Sequence, residues 1–555
     1  MSSASAITDT KAHPVTANMN GATALVESLL VHGIDTVFGL PGGQLYELYG
    51  AFRQHRDRLR VITTRHEQGA AYMAYGYAHS TGRVGVYDVV PGPGVLNTTA
   101  ALCTAYGANA RVLCLTGQVP SHGIGSGAGF LHELPDQLGI LGSLTKWAAR
   151  IDEAAKAPAL VAEAFRQMHT GRPRPVALEM PPDIMEQVTD VAIDPAPATW
   201  ALAEPDPERI EKAARLLSKS ERPVIMVGGG AVDAGAELLE LAEMLQAPVV
   251  SHRQGKGVIS DRHYLSQSYP AGHRLWADAD VVLAVGTRLK YPQMYWGTNG
   301  LEIVRIDIDA EEVDRNGVPT VGIVADAKPA VAALVEALPG HITRRESRRG
   351  ELEALRETMR KEYERIQPQM SYLDVIREEL PDDGFFVDEV TQTGFASWFG
   401  FPSYLPRHYI SSGYQGTLGY GYATALGVKV AHPDEPVLQI SGDGGFMYNV
   451  QEIATAVAEN IGLVTVIFRD DRFGNVHRDM QQKFGEDDPT SRLVNPDFVA
   501  LAESFGAAGS RATDPEELRA AIRRGFEREG PTIIEVPMPD ATSPWEFILM
   551  PQVRP

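Results

Sequence analysis

The chain is short of cysteine, short of positive charge and without a long apolar run, and each shortage narrows what it can be. Among 555 residues there are two cysteines, Cys103 and Cys114. Both stand in apolar surroundings and read as reduced core thiols, which excludes a disulfide-built secreted scaffold. Lys and Arg number 50 against 71 Asp and Glu, a net charge of −21. Phosphate backbones and anionic bilayers repel so acidic a chain, so no nucleic acid and no membrane is expected as a partner. No uninterrupted apolar stretch is long enough to span a bilayer. Residues 1–20 lack the apolar segment of a signal peptide, and a cytoplasmic protein is expected. The hydrophobic content of 44% suits a globular protein, and the length predicts two to four domains.

What is present is an alternation of short β-branched runs with helical patterns. Strands are predicted at 36–38, 61–63, 85–90, 112–115 and 176–179, with helices between them. A Pro- and Ala-rich linker follows at 194–207, then a second α/β block, a charged helical connector from Thr343 to Gln367, and a third block. The predicted domains are 1–188, 206–341 and 368–540, with a tail at 541–555. Alternating strands and helices predict α/β architecture: three doubly wound, mostly parallel sheets.

The most informative residues are two acids. Asp443 lies in Ser441-Gly442-Asp443-Gly444-Gly445, after an apolar run ending at Ile440. Asp470 lies in Arg469-Asp470-Asp471-Arg472, after the run 463–468. A helix is predicted between them, over 446–460. A strand–helix–strand unit brings both acidic loops to one edge of a parallel sheet. The glycines let backbone N–H groups approach an anion, and a helix N-terminus points there. Two carboxylates beside an anion-binding loop ask for a hard divalent cation, most simply Mg2+ bridging to a diphosphate.

At these residues the chain resembles the thiamine diphosphate (ThDP) enzymes, whose metal–diphosphate motif is Gly-Asp-Gly, a helix, a strand and an Asn-rich turn. Here Arg469-Asp470-Asp471 replaces that turn. The resemblance covers almost the whole chain and is closest to the acetolactate-synthase-like decarboxylase and carboligase group. It implies a pyrimidine-binding, a central and a diphosphate-binding domain, in that order. It implies metal ligation by the side chains of Asp443 and Asp470 and the carbonyl of Arg472, and diphosphate contacts from Gly442, Gly444, Gly445, Thr391 and Gln392. In Ser412-Gly413-Tyr414-Gln415-Gly416-Thr417-Leu418, it makes Leu418 the apolar prop under the bent cofactor and the Gly416 carbonyl an acceptor for its exocyclic amine. Glu67, in Thr64-Arg65-His66-Glu67-Gln68, becomes the catalytic carboxylate that hydrogen-bonds the aminopyrimidine ring and promotes loss of the thiazolium proton, a role that calls for partial desolvation. His66 reads as a structural or supporting neighbour.

Loops of the first block supply the candidate substrate pocket: Leu40, Gly42 and Gln44; Asn97 in Pro91-Gly92-Pro93-Gly94-Val95-Leu96-Asn97; Gln118; and His132, Glu133 and Gln137 in a stretch that departs from the acetolactate-synthase pattern. A hydrated polar loop is the alternative for the last three. The adjacent His pair of pyruvate decarboxylases is absent, and Val89 or Val90 stands where benzoylformate decarboxylases carry a His. In the middle block, Val227-Gly228-Gly229-Gly230 nearly forms a dinucleotide fingerprint, but no acid follows the next strand. Thr287-Arg288-Leu289-Lys290-Tyr291 stands in place of the family's flavin motif, so FAD is possible but not favoured. The reading is a ThDP- and Mg2+-dependent C–C lyase or ligase acting on 2-oxo acids or related small carbonyl compounds. Its expected assembly is a homodimer or dimer of dimers with interface sites. Alternatives are a 1,2-dione hydrolase or 2-hydroxyacyl-CoA lyase on the same scaffold, the latter disfavoured by a tail whose only basic residue is Arg554, and a non-catalytic cofactor-binding relative.

Overall fold

The computed structural model describes residues 15–342, 344–485, 489–538 and 540–555. Residues 1–14, Thr343 at the start of the predicted connector, and positions 486–488 and 539 within the third predicted domain lie outside the described residues. The chain divides into two compact units: residues up to Ala74 with Val84–Leu102 and Arg111–Ala201, and Tyr75–Arg83 with Cys103–Ala110 and Leu202–Pro555.

The first unit holds a six-stranded sheet in the order Arg60–Thr63, Thr36–Gly39, Gly85–Val89, Val112–Gly117, Val176–Met180, Trp147–Arg150. Every neighbouring pair is parallel. Val86, Leu113 and Leu178 bury one face against the helices Gly21–Val31 and Ala157–His169 through Leu25, Leu29, Val161 and Phe165. Burying each such side chain contributes about 1.5–3 kcal/mol. Asn20 starts the first of these helices: its side-chain oxygen accepts the Thr23 N–H at 2.9 Å, satisfying an amide that the helix leaves unpaired.

The first unit runs past the boundary expected at Val188. Val188–Ile193 pairs antiparallel with Val15–Asn20, Val15 opposite Ile193 and Asn20 opposite Val188. Both strands lie at the surface, with Val191 their one buried residue; Val15, Ala17 and Met19 alternate with polar residues in the first, a short period-2 pattern for which no strand is predicted above.

The second unit carries two more six-stranded sheets. One has the order Ser266–Gln267, Val249–Ser251, Val224–Val227, Val281–Val285, Glu302–Asp307, Val321–Val324. The other has the order Tyr409–Ile410, Phe385–Val387, Val437–Gly442, Val464–Arg469, Thr532–Pro537, Ala508–Arg511. Both are parallel throughout. Val281–Val285 is buried at every position, as a parallel strand with both faces covered requires. The protein is therefore α/β with three mostly parallel sheets. The charged connector forms the helix Arg349–Tyr363, which buries Leu352, Met359 and Tyr363 and leaves its charges in water.

The helix predicted over 446–460 is broken. Asp443–Phe446 is one short helix, Val450–Glu452 a single 3-10 turn and Ile453–Ala458 a second helix. The break falls at the fully buried Asn449, whose Nδ2 donates to the Gly419 carbonyl at 2.6 Å. The tail docks on the middle sheet's domain. The Arg554 guanidinium donates to the carbonyls of Trp276 (2.9 Å) and Ala279, at the C-terminal end of the helix Tyr269–Asp278, and to that of Asn299 (3.2 Å), in the turn before the strand Glu302–Asp307.

Candidate active site

In the first unit the candidate residues gather at the carboxyl ends of the strands Thr36–Gly39, Gly85–Val89 and Val112–Gly117, which are neighbours in the sheet. The loops are packed too closely for side chains on several glycines. A Cβ on Gly42 would meet Val90 at 2.2 Å, and one on Gly92, whose φ is +64°, would meet the His132 carbonyl at 2.5 Å. The structure thus brings Gly42, Gln44, Gly92 and His132 into one corner. Gln44 is buried; its Nε2 donates to the Leu131 carbonyl at 3.0 Å and its Oε1 faces His132 Nδ1 at 3.1 Å. Leu40 follows Gly39, its N–H bonded to the Asp88 carbonyl.

Glu67 opens the helix Glu67–Thr81 after the strand Arg60–Thr63. Its side chain is 13% exposed and Oε2 accepts the Asn97 Nδ2 at 3.0 Å. Asn97, read from sequence as a pocket residue, is in this unit the partner of the carboxylate. His66 turns back on its own loop: its Nδ1 accepts the Gln68 N–H at 3.1 Å.

Three of the other pocket candidates are committed to internal bonds. Gln137 accepts the Gly92 N–H at 2.8 Å and donates to the Gly117 carbonyl (3.0 Å) and to Glu179 (2.9 Å). Gln118 donates to the same Glu179 oxygen at 3.1 Å. Glu179 is fully buried and takes Arg150 Nε on its other oxygen at 2.6 Å. This network fixes the Gly92 and Gly117 turns. Glu133 accepts the N–H groups of Gly127, Gly129 and Phe130, and these bonds hold its carboxyl below the usual range against the opposing effect of desolvation. It organises the loop that carries it. Glu179 and Arg150 were missed in the sequence because nothing local marks them.

In the second unit the Gly442–Gly445 turn ends the strand Val437–Gly442. Asp443 is buried. Its Oδ1 accepts the Gly444 N–H at 2.8 Å, and its Oδ2 accepts the Asp471 N–H at 2.7 Å and Asn495 Nδ2 at 2.8 Å. Asn495 also bonds the Asp471 carboxylate at 2.9 Å, a tie the sequence did not reveal. Burial raises the Asp443 carboxyl. Burial and the neighbouring Asp443 charge push Asp470 up to about 7. Two partly desolvated acids that repel each other are a donor set that fits a divalent cation. Among the described residues no group of three or more His, Cys, Asp or Glu side chains is assembled for a metal, so two carboxylates with a backbone carbonyl, such as that of Arg472, is the set available here. Thr391 lies against the same turn: a Cβ on Gly442 would sit 3.4 Å from its Oγ1. Thr391 precedes the helix Gln392–Gly400, whose first N–H groups its side chain leaves uncapped, as an anion site requires. Gln392 is buried and faces Arg478 Nη1 at 3.4 Å. Leu418 approaches Gly445, and Gly416 is exposed in a left-handed conformation, φ +56°.

In the middle sheet, Gly228 and Gly230 pack against Gly286 and Thr287; a Cβ on Gly228 would meet the Gly286 carbonyl at 2.5 Å. The glycine run is thus required by internal packing. Arg288 stacks on Tyr414 at 4.2 Å.

Residues 19–140 match the N-terminal TPP binding domain of thiamine pyrophosphate enzymes, 210–334 their central domain and 389–536 their C-terminal TPP binding domain. The chain belongs to the thiamine pyrophosphate enzyme family and is a ThDP-dependent enzyme of the decarboxylase and carboligase kind. It is 34% identical to a probable 2-ketoarginine decarboxylase of Pseudomonas aeruginosa over 93% of this chain and 94% of that one. It is 33% identical to a probable acetolactate synthase large subunit of Methanococcus aeolicus (93% and 92%) and 32% identical to an acetolactate synthase of Arthrospira platensis (93% and 94%). No helix among the described residues is long and apolar enough to cross a membrane.

Proposed function

We propose that the protein decarboxylates a 2-oxo acid with ThDP and Mg2+ and passes the product to a proton or to a second carbonyl compound. The observation that carries the metal-dependent reading is the pair Asp443 and Asp470 beside a glycine turn: burial raises both carboxyls, and the Asp443 charge raises Asp470 further. Asp443 and Asp470 would hold a cation that relieves that repulsion, and the Gly442–Gly445 amides with the uncapped start of the helix Gln392–Gly400 would receive the diphosphate. Bound ThDP supplies the electron sink on which CO2 is lost.

The chain's own residues hold and orient. Glu67 shares a proton with the aminopyrimidine ring, held by Asn97. Leu418 would sit under the bent cofactor, and Gly416 would offer its carbonyl to the exocyclic amine. Leu40, Gly42, Gln44 and His132 surround the place where substrate meets the cofactor, while Gln118, Gln137 and Glu133 shape those loops from behind. The similarity to a probable 2-ketoarginine decarboxylase makes a guanidino 2-oxo acid a donor to test beside pyruvate. No flavin is included, since the glycines of the middle sheet are accounted for by packing. A CoA ester is disfavoured because the Arg554 guanidinium is committed to three carbonyls.

The expected assembly is a two-fold dimer, alone or paired, with Glu67 of one subunit completing the diphosphate site of the other. Tyr46 (73%), Leu96 (42%) and Leu131 (68%) are exposed beside the first-unit corner, which supports a covering partner there. The test of the reaction is incubation with a panel of 2-oxo acids and aldehydes, measuring CO2, aldehyde and acyloin. Turnover of 1,2-diones without CO2 release overturns this reading in favour of a hydrolase.

A further inference from the structure

The second unit contains a buried acid that the reaction does not use. Glu389 ends the strand segment after Phe385–Val387 and is 2% exposed. Its Oε1 accepts the Val390 N–H at 2.8 Å and the Gly419 N–H at 3.2 Å, and its Oε2 accepts the Gly421 N–H at 2.8 Å. Its stem also touches the diphosphate turn: a Cβ on Gly445 would lie 3.3 Å from Glu389 Cγ and equally close to Leu418 Cδ1. The side chain of one residue therefore reaches three separate pieces of chain, two through its carboxylate and the third through its stem. These are the turn before Thr391, the segment carrying Leu418, and the glycine turn of Asp443.

All three polar partners are N–H donors. A neutral carboxyl would aim its proton at groups that can only donate, so the geometry addresses the anion, although burial and the neighbouring Asp388 push the group up to about 8. An acid so enclosed, bonded only to N–H donors among the described residues, is a poor proton carrier. What it does is fix backbone.

The adjacent Asp388 acts on the same segment from the other side. It accepts Trp398 Nε1 at 2.9 Å, the Tyr409 hydroxyl at 3.1 Å and the Tyr420 hydroxyl. Asn449 holds the Gly419 carbonyl at 2.6 Å. Residues 419–421 are thus held through two amides, one carbonyl and one side chain. Yet Gly419 has a φ of +86° and is followed by another glycine at 421, a stretch that would sample many conformations if released.

We propose that Glu389 is a positioning residue for cofactor binding: it pre-sets the Thr391 turn, the Leu418 prop and the Gly442–Gly445 turn as one rigid cradle before ThDP arrives. The inference rests on the ThDP-binding reading given above. Preorganisation of this kind lowers the ordering cost of association, so its loss appears in affinity rather than in the rate of the saturated enzyme.

The experiment compares wild type, Glu389→Gln and Glu389→Asp. Calorimetry with ThDP and Mg2+ on the cofactor-free protein gives affinity, hydrogen exchange of the peptide covering 418–421 gives local order, and kcat is read at saturating ThDP. The expected result for Glu389→Gln is at least ~10-fold weaker ThDP binding and faster exchange at 418–421, with kcat at saturating ThDP within about 3-fold of wild type and a melting temperature lowered only as far as the lost buried N–H bonds require. Glu389→Asp, which keeps the charge and shortens the reach, falls between. Wild-type affinity and exchange in Glu389→Gln overturn the proposal, as does a loss confined to kcat. Should the variants fail to fold, exchange in the cofactor-free wild type decides: Gly419 and Gly421 amides protected like sheet amides sustain the proposal, and open-loop rates overturn it. A wild type that binds no ThDP defeats the functional reading instead, and leaves the exchange result standing by itself.

Discussion

The Asn97 side chain donates its Nδ2 hydrogen to Glu67 Oε2 at 3.0 Å, joining the end of the short helix Pro93–Asn97 to the start of the helix that carries the candidate catalytic carboxylate. The bond occupies Oε2 and fixes the direction of the carboxylate, leaving Oε1 for the cofactor contact proposed above.

Replacing Glu67 by Gln is therefore expected to leave ThDP bound and to slow proton exchange at the thiazolium carbon by at least ~100-fold, the scale of a positioned acid–base group. Asn97→Ala is expected to lie between that variant and wild type. Exchange rates unaffected by Glu67→Gln would remove this residue from the mechanism.

Asp443→Ala is expected to abolish Mg2+-dependent ThDP binding, and Asp470→Asn to retain it. Asp470 is the less tied of the two, and an amide oxygen still ligates while the mutual repulsion is gone. Calorimetry showing normal ThDP and Mg2+ binding by Asp443→Ala removes the metal assignment.

Asp88 gives a pH dependence of stability. It is fully buried in the strand Gly85–Val89, and burial raises its carboxyl to about 8, with the facing Tyr49 hydroxyl pulling the other way. Cys114, the other ionisable group coupled to it, is itself pushed up to about 12 by burial. The folded state keeps a proton on Asp88 that the unfolded chain releases near pH 4. Its contribution is thus complete below that value and is lost as pH rises through about 8, at roughly 1.4 kcal/mol per pH unit at most. Asp88→Asn cannot ionise, so it should gain stability relative to wild type between pH 5 and 8 in denaturant titrations. Parallel profiles for the two proteins reject the assignment.

Mixing inactive Glu67→Gln and Asp443→Ala subunits should regenerate about one good site per mixed dimer, measured as recovered activity after co-refolding or subunit exchange. A monomer active at nanomolar concentration in ultracentrifugation contradicts a site shared between subunits.

Arg554→Ala should lower stability by about 1–3 kcal/mol, the range for hydrogen bonds from a charged donor to otherwise unmet carbonyls. The melting temperature should fall without change in ThDP affinity. Unchanged melting means that water serves the Trp276, Ala279 and Asn299 carbonyls equally well.

Much of the parallel-sheet framework was legible in the sequence, because its strands are short, buried, mostly apolar runs flanked by turn residues. Gly85–Val89, Val112–Gly117 and Val464–Arg469 are of that kind. The edge strand Trp147–Arg150, only half-buried, has no such run and was not foreseen. The Asp443 and Asp470 turns were legible because glycine and acid stand together after a strand. Glu179, Asn495 and Glu389 were not, since each acts on residues far along the chain and no periodicity records that meeting. Glu389 stands two residues before Thr391, yet nothing in its own neighbourhood marks the Gly419 and Gly421 amides that it meets. The break in the helix after Phe446 was hidden for the same reason: its cause is the carbonyl of Gly419, in another loop.

The pairing of Val15–Asn20 with Val188–Ile193 has a consequence for how the protein is made. A ribosome releases the first strand early and its partner only after the whole intervening sheet has emerged. Until then Val15–Asn20 is an unpaired edge, and the first unit cannot fasten its two ends. Closing so long a loop costs little more than closing a moderate one, so the delay is set by synthesis and by the slow search for distant contacts, not by the strength of the final pair. A nascent chain stalled before residue 188 should be digested by proteases at its amino end, and one stalled well beyond residue 193 should resist.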